Sequence, residues 1–309
     1  MMHDLPYHPI SRHYKEVFGE KVYKIPVSVA GTCPNREGLR GMKTCNFCDA
    51  WGSAAYPDLQ KKELLEQVVE SKSRILSRVN AGKFLVYFQA YTTTFSRVAA
   101  LREHIEKIVQ LPDVVGFVIG TRPDCLSDSL YELLNEYAAH QYVAVELGVQ
   151  TFNEKNLVWM RRGHTAERSI WAIHKIREKC PLVNLGIHLI FGLPGETTEE
   201  IKAAAIKCNG LPIDNVKLHN LHVLKNTPLE EEHRAGLFQP LSREQYSEFV
   251  KIFLQHLDPR ISVHRLAALS SHEGELVAPD WVSKKMETYQ WIIDYMKKEN
   301  SYQGQYAQA

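Results

Sequence analysis

The chain has 309 residues, 44% of them hydrophobic, enough for one barrel-sized domain or two smaller ones around a large core. Its 37 basic and 36 acidic side chains nearly cancel, which excludes a protein held on nucleic acid or an acidic membrane by a global field, though not an enzyme with a local basic rim. The N-terminus, Met1 to Pro6, lacks an apolar core of signal-peptide length, and no run approaches a membrane span, so the expectation is a soluble, cytoplasmic protein without a membrane partner.

After an N-terminal segment (1–20), short apolar runs alternate with amphipathic segments, the pattern of a parallel α/β fold. Strands are predicted at 22–30, 84–89, 114–119, 143–149, 185–191, 216–223 and 261–266. Between them, Leu64, Leu65, Val68, Val69, Ile75, Leu76 and Val79 mark one helical face. Val98, Leu101, Ile105 and Ile108 mark a second, Leu130, Leu133, Leu134 and Tyr137 a third, and Ile170, Ile173 and Ile176 a fourth. Thr197 with Glu200 and Ser242 with Gln245 have capping-box spacing, and Gly210 suits the end of the first of these helices. Some six βα units predict a full or partial TIM-like (βα) barrel over 21–270, with chemistry at the C-terminal ends of its strands. Beyond it, 271–300 reads as an extension carrying an amphipathic helix from 281 to 298, with Val282, Met286, Tyr289, Ile293 and Met296 available to pack on the barrel. The polar, Gln-rich 301–309 reads as a disordered tail.

The loop after the first predicted strand holds Cys33, Cys45 and Cys48 with glycines between, and no fourth cysteine nearby. Structural zinc usually takes four protein ligands. A cubane iron–sulfur cluster held by three thiolates keeps one iron open, so the missing ligand points to an open cluster, with zinc or plain buried thiols as the alternatives. Cys125, Cys180 and Cys208 are scattered and read as small buried hydrophobes. Glu146 is read as a strand-end carboxylate suited to paired hydroxyls, against a surface or salt-bridged residue. Arg162 offers a planar fork for a carboxylate, with Arg161 as the fallback, against solvated surface arginines. Gln89 offers an amide acceptor at a strand end. The turn from Gly192 through Pro194 to Thr197 resembles a plain βα loop or a phosphate cradle. His164 reads as a loop-orienting residue, not a metal ligand.

The cysteine loop, with Phe47 just before its last cysteine, resembles the cluster loop of radical S-adenosylmethionine (radical SAM) enzymes. Its C-x11-C-x2-C spacing, with Pro34-Asn35-Arg36 in the widened gap, is similar to the branch containing the catalytic subunit of Elongator. Four later segments follow in the same order: Phe88-Gln89-Ala90-Tyr91, Glu146 to Thr151, Met160 to Thr165 and Ile190 to Thr197.

The resemblance implies a [4Fe–4S] cluster on Cys33, Cys45 and Cys48, with S-adenosylmethionine (SAM) held by residues among Phe47, Gln89, Glu146, Gln150, Arg162, Gly192 and Pro194. It further implies reductive cleavage of SAM to a 5′-deoxyadenosyl radical, and an electron donor such as flavodoxin or ferredoxin. By family analogy the substrate is tRNA, modified at the C5 side chain of a wobble uridine. Arg12, His13, Lys15, Arg36, Arg40 and Lys43 are then expected at the mouth near the cluster. A small metabolite or a protein is the rival substrate. A zinc-binding interaction protein and a phosphate-binding barrel enzyme are the rival classes.

Overall fold

The computed structural model describes residues 5–268, 270 and 274–307. The first four residues of the expected N-terminal segment and the last two of the expected tail lie outside them. Seven parallel strands form one sheet in chain order: β1 (Val22–Val27), β2 (Lys83–Phe88), β3 (Val114–Thr121), β4 (Tyr142–Gln150), β5 (Asn184–Phe191), β6 (Asn215–Asn220) and a short last strand, Ser262–Val263. A separate two-stranded antiparallel ribbon joins β7 (Val223–Leu224) to Leu276–Ala278, so the last sheet strand is β8 and the ribbon's second strand β9. The sheet curls until its edges face each other: Lys24 Nζ of β1 lies 3.2 Å from His264 Nδ1, just past β8. This is the partial barrel that the alternation predicts.

Helices pack outside the sheet as the periodicities require. Leu101, Ile105 and Ile108 are buried on α3 (Val98–Ile108), and Leu130, Leu133 and Leu134 on α4 (Asp128–Ala138). A short α5 (Glu154–Trp159) precedes α6 (Ala166–Lys179), which buries Ile173 and Ile176. Both predicted capping boxes form, at the starts of α7 (Thr198–Asn209) and, after α8 (Pro228–Arg234), of α9 (Arg243–His256).

Several expectations are corrected. The helix face read over 64–79 is too broad: α2 (Leu64–Leu76) buries Leu64 and Val68 but exposes Leu65, Val69 and Leu76. Adjacent residues on a helix diverge, so a single buried stripe cannot hold both members of each pair. The first strand stops at Val27, because the Gln67 side chain of α2 takes both the N–H and the carbonyl of Ser28. The run 216–223 divides into β6 and β7, and 261–266 keeps only two strand residues. The terminal helix α10 starts later than predicted (Lys285–Lys298), behind a 3-10 turn over Asp280–Ser283, and leaves Met286 exposed.

Residues 301–307 are packed, not disordered. Gln303 donates from Nε2 to the carbonyls of Asp258 (2.9 Å) and Ile261 (2.8 Å) and accepts from the His8 N–H (2.8 Å). The polarity that reads as a solvated tail is used for buried hydrogen bonds.

The N-terminal segment forms α1 (Ile10–Phe18), which closes the bottom of the barrel. Ile10 and Tyr14 pack there against Val22, Leu85, Val118 and Ala144. The barrel interior is therefore apolar at the N-terminal ends of its strands. Above that plug it turns polar.

Candidate active site

The upper half of the barrel holds a cavity of about 250 Å³, open at the C-terminal ends of the strands. Cys33, Cys45 and Cys48 line its rim, all as free thiols on the loop between β1 and α2. Asn35, 2% exposed, fixes this loop. Its Nδ2 donates to the carbonyls of Lys43 (2.7 Å) and Arg161 (2.5 Å), while its Oδ1 accepts from Arg122 Nη1 (2.6 Å). Arg122, just past β3, also pairs with Asp124 at 2.8 Å and donates to the Arg162 carbonyl at 2.6 Å. One amide and one guanidinium thus tie the cysteine loop to the segment around Arg161 and Arg162. Neither figured among the residues expected at the site. A charged residue directly after a strand, as in Thr121-Arg122-Pro123-Asp124, is the signal that could have flagged the second.

Arg162 enters the cavity and Arg161 does not: Arg161 is exposed, while Arg162 is 7% exposed and lines the rim. Its Nη2 donates to the Gly148 carbonyl at 2.9 Å, and its Nη1 lies 3.6 Å from Cys45 Sγ. Its Nε is buried without a partner. Gly148 makes room for this arrangement, since a Cβ there would lie 2.8 Å from Gln150 Nε2 and 3.2 Å from Arg162 Nη2. Gln150, at φ 73°, and Gln89, whose Nε2 donates to the Ser53 carbonyl at 2.9 Å, also line the cavity. Phe47 lines it as well, its ring half-buried beside an apolar cluster that includes Leu157 and Met160. Arg36 Nη2 is 3.5 Å from Cys48 Sγ. Burial, with Cys45 and Asp49 nearby, pushes the Cys48 thiol up to about 12, and the Arg36 contact pulls the other way.

Glu146 is not at a strand end. It is the fifth residue of β4, 1% exposed, in a polar layer above the apolar plug. Its Oε1 pairs with Lys24, while its Oε2 meets Lys217 Nζ at 2.8 Å and His188 Nε2 at 2.7 Å. Burial alone would raise this carboxyl, but Lys217, Lys24 and His264 hold it well below the usual carboxylate range. With both oxygens engaged by cations, Glu146 is the anchor of a buried ionic layer, not a free acceptor for hydroxyls. Burial, opposed by Glu146, brings Lys217 down to about 7. Burial and the Lys217 charge bring His188 down to about 4.

Gly192 and Pro194 fall outside the cavity lining, which corrects their expected contact with a cofactor. Their turn is internally saturated: the Glu196 carboxyl accepts from the N–H groups of Gly192 (2.7 Å) and Leu193 (3.2 Å). Those are the donors a bound phosphate would need, so the turn is not a phosphate cradle. His164 is buried behind Arg162, beside Ser169, and burial with the Arg162 charge lowers it to about 3.

The expected basic mouth divides in two. Arg36 lines the cavity, and Arg40 and Lys43 are exposed on the cysteine loop. Arg12, His13 and Lys15 belong to α1, at the opposite end of the barrel, where His13 Nε2 is 3.1 Å from the hydroxyl of Tyr142 at the start of β4. Adjacency in sequence misleads because β1 carries the chain the full height of the barrel between the two groups.

Three free thiols from one loop line a cavity at the C-terminal ends of the strands, though among the described residues no three His, Cys, Asp or Glu side chains already stand as a metal-holding group. Comparison with known proteins names the class: the Radical SAM superfamily model matches residues 27–207, and a Radical_SAM C-terminal domain model matches 213–298. The chain belongs to the radical SAM superfamily. Among its relatives, YtqA of Bacillus subtilis (strain 168) is 33% identical over 302 residues, covering 98% of this chain and 93% of that protein. YhcC of Escherichia coli (strain K12) is 33% identical over 288 residues, covering 93% and 91%. A tRNA uridine(34) acetyltransferase of Methanocaldococcus jannaschii is 30% identical over 212 residues, 63% of this chain and 38% of that one. The archaeal Methanocaldococcus infernus Elp3 shares the fold, with a TM-score of 0.70 at 18% identity, and covers 91% of this chain. The present chain spans 64% of that structure, so the likeness concerns part of that protein and not the whole. These two likenesses support the Elongator-like branch that the cysteine loop resembles.

The family implies a [4Fe–4S] cluster and SAM, and the residues present fit both. The three thiols line one cavity, arginines approach the sulfurs of Cys45 and Cys48, and each of these arginines keeps a buried Nε without a partner. Among the described residues, no helix is long and apolar enough to cross a membrane.

Proposed function

We propose that the chain is a radical SAM enzyme that binds the cluster through Cys33, Cys45 and Cys48 and modifies the C5 side chain of a tRNA wobble uridine. The observation that carries the enzyme reading is the three-thiol rim with Arg162 beside Cys45. When bound, the cluster supplies the electron that cleaves SAM reductively to a 5′-deoxyadenosyl radical; a flavodoxin or ferredoxin is its proposed source. Arg162 offers two N–H groups at the rim to the SAM carboxylate, Gln89 and Gln150 border the same space with amides, and Phe47 excludes water above the last cysteine. The saturated carboxylate of Glu146 leaves the SAM hydroxyls to these rim residues.

The tRNA reading is supported by the partial likeness to tRNA uridine(34) acetyltransferases and by Arg40 and Lys43, exposed on the cysteine loop. Arg12, His13 and Lys15, on the far end of the barrel, do not contribute to that rim. The test is nucleoside profiling of tRNA from a strain lacking the protein. The expected result is a wobble uridine that stops at a precursor; an unchanged set of wobble nucleosides would sink the tRNA assignment while leaving the radical SAM assignment in place.

A further inference from the structure

The rim accounts for the cluster and SAM, but not for the cavity's inner wall. That wall comes from β5, β6 and the segments after β6 and β8, and it is rich in basic side chains. Lys217 and Arg265 line it, with His188, His219 and His222 between them. Lys24 lies beneath, so three cations surround Glu146, the one carboxylate of this layer among the described residues. Both Glu146 oxygens are spent on Lys24, Lys217 and His188. Arg265 therefore has no carboxylate partner among the described residues.

What Arg265 does have is a histidine. Its Nη2 lies 2.7 Å from His219 Nδ1, and its Nε is buried with no partner. The guanidinium is the donor, so His219 accepts and is neutral; burial and the Arg265 charge both hold it in that form. His219 also stacks on His188, with ring centroids 5.1 Å apart. The backbone fixes the height of this group: the Leu218 N–H donates to the Arg265 carbonyl at 3.2 Å, which sets Arg265 level with the middle of β6. An uncompensated guanidinium on a cavity wall, with an unused donor, is costly unless an anion completes it. The rim carboxylate that lines this cavity, Asp49, instead accepts from the N–H groups of Trp51 (3.0 Å) and Ser53 (2.9 Å).

We propose that Arg265, Lys217 and His219 form an oxyanion subsite on the inner wall, which receives a carboxylate or phosphate group carried by the substrate. It rests on the reading of this cavity as the radical SAM active site, and it adds the chemical class of what enters. The anion would meet the Arg265 guanidinium where it lines the cavity, together with the ammonium of Lys217, whose other contacts are Glu146 at 2.8 Å and the Tyr87 hydroxyl at 3.2 Å. Holding the substrate by its charge on this wall leaves its reacting carbon to face the rim.

The test uses anaerobically reconstituted protein saturated with SAM, titrated calorimetrically with inorganic phosphate and, separately, with acetate. The expected result is saturable one-to-one binding of at least one probe, weakened about ten-fold or more in Arg265→Gln, as loss of a charge-assisted hydrogen bond requires. Whichever probe binds distinguishes phosphate from carboxylate. Should Arg265→Gln fail to fold, Arg265→Lys, which keeps the charge but not the fork, and Lys217→Met each read out the same loss. No binding of either probe overturns the proposal, as does unchanged affinity in folded variants. Binding seen only without SAM also overturns it, by assigning the wall to the SAM carboxylate. None of these results involves RNA, so unchanged wobble nucleosides in the deletion strain leave this proposal standing or falling by itself.

Discussion

At the scale of single residues, the cysteines and Glu146 differ in what surrounds them, and so in what their loss should do. Ala at Cys33, Cys45 or Cys48 should abolish iron and sulfide binding after anaerobic reconstitution, whereas Cys125→Ala, Cys180→Ala and Cys208→Ala should retain it; Cys180 and Cys208 are buried in the main core, and Cys125 follows β3 near Asp124. Stoichiometric zinc in place of iron would overturn the assignment. Arg162→Ala should keep the iron yet weaken SAM binding roughly ten- to a hundred-fold, since a charge-assisted hydrogen bond contributes about 1.5–3 kcal/mol. Glu146→Gln acts on stability. It leaves Lys24 and Lys217 facing each other in a buried layer, and breaking a buried pair typically costs about 3–5 kcal/mol. Urea denaturation should show that loss as a lower midpoint with an unchanged slope; a midpoint equal to wild type would mean the layer is not what holds the barrel together at this height. Sequence placed Glu146, Gln150 and Arg162 near one site, because they sit on motifs. It could not show that Glu146 points into a cage of cations, because that cage is assembled from Lys24, His188, Lys217 and His264 on four separate segments.

At the scale of elements, the ends of the chain carry more structure than their composition implies. The segment after α10 lies against the N-terminal segment and the turn before β8, and Gln303 is its clasp. Gln303→Ala removes three hydrogen bonds, one buried and two partly buried, and strands two carbonyls and one N–H, each worth up to about 1–3 kcal/mol when left unsatisfied. The expected outcome is a fall in stability of a few kcal/mol by chemical denaturation, with no change in SAM binding at the other end of the barrel; a variant as stable as wild type would show that residues 301–307 do not hold. The helices divide by the same logic. Their existence and capping were legible in the sequence, as Thr197–Glu200 and Ser242–Gln245 show, because those signals are local. Which of Leu65 or Leu64 and of Val69 or Val68 turns inward on α2 was not, because that depends on how the helix is rotated against β1.

For the whole molecule, the barrel is apolar below and charged above, and this gradient makes its stability depend on pH. His188 and His222 are held neutral by burial, each lowered to about 4 from an ordinary value near 6.5. The unfolded chain takes up these protons first. The histidine contribution is therefore fully present above about pH 6.5 and falls as pH drops toward 4, and the low Glu146 value adds to the loss below the ordinary carboxylate range. Unfolding free energies measured from pH 8 to pH 4 should decline most steeply below about 6.5; a flat profile across that window would contradict the burial of these histidines. Sequence by itself determined the alternation of strands and helices, the three-cysteine loop after β1 and hence the family, because hydrophobic period, caps and motif spacing are properties of neighbouring residues. Tertiary structure decided which polar residues share a space. It sent Arg12 and Lys15 to the closed end, kept Arg162 over Arg161 at the rim, removed Gly192 and Pro194 from the cavity, and gathered Lys217, His219 and Arg265 on one wall. The physical reason is that a parallel barrel brings together residues from every strand at one height, and that height follows from sheet register and curl, which no short stretch of sequence contains.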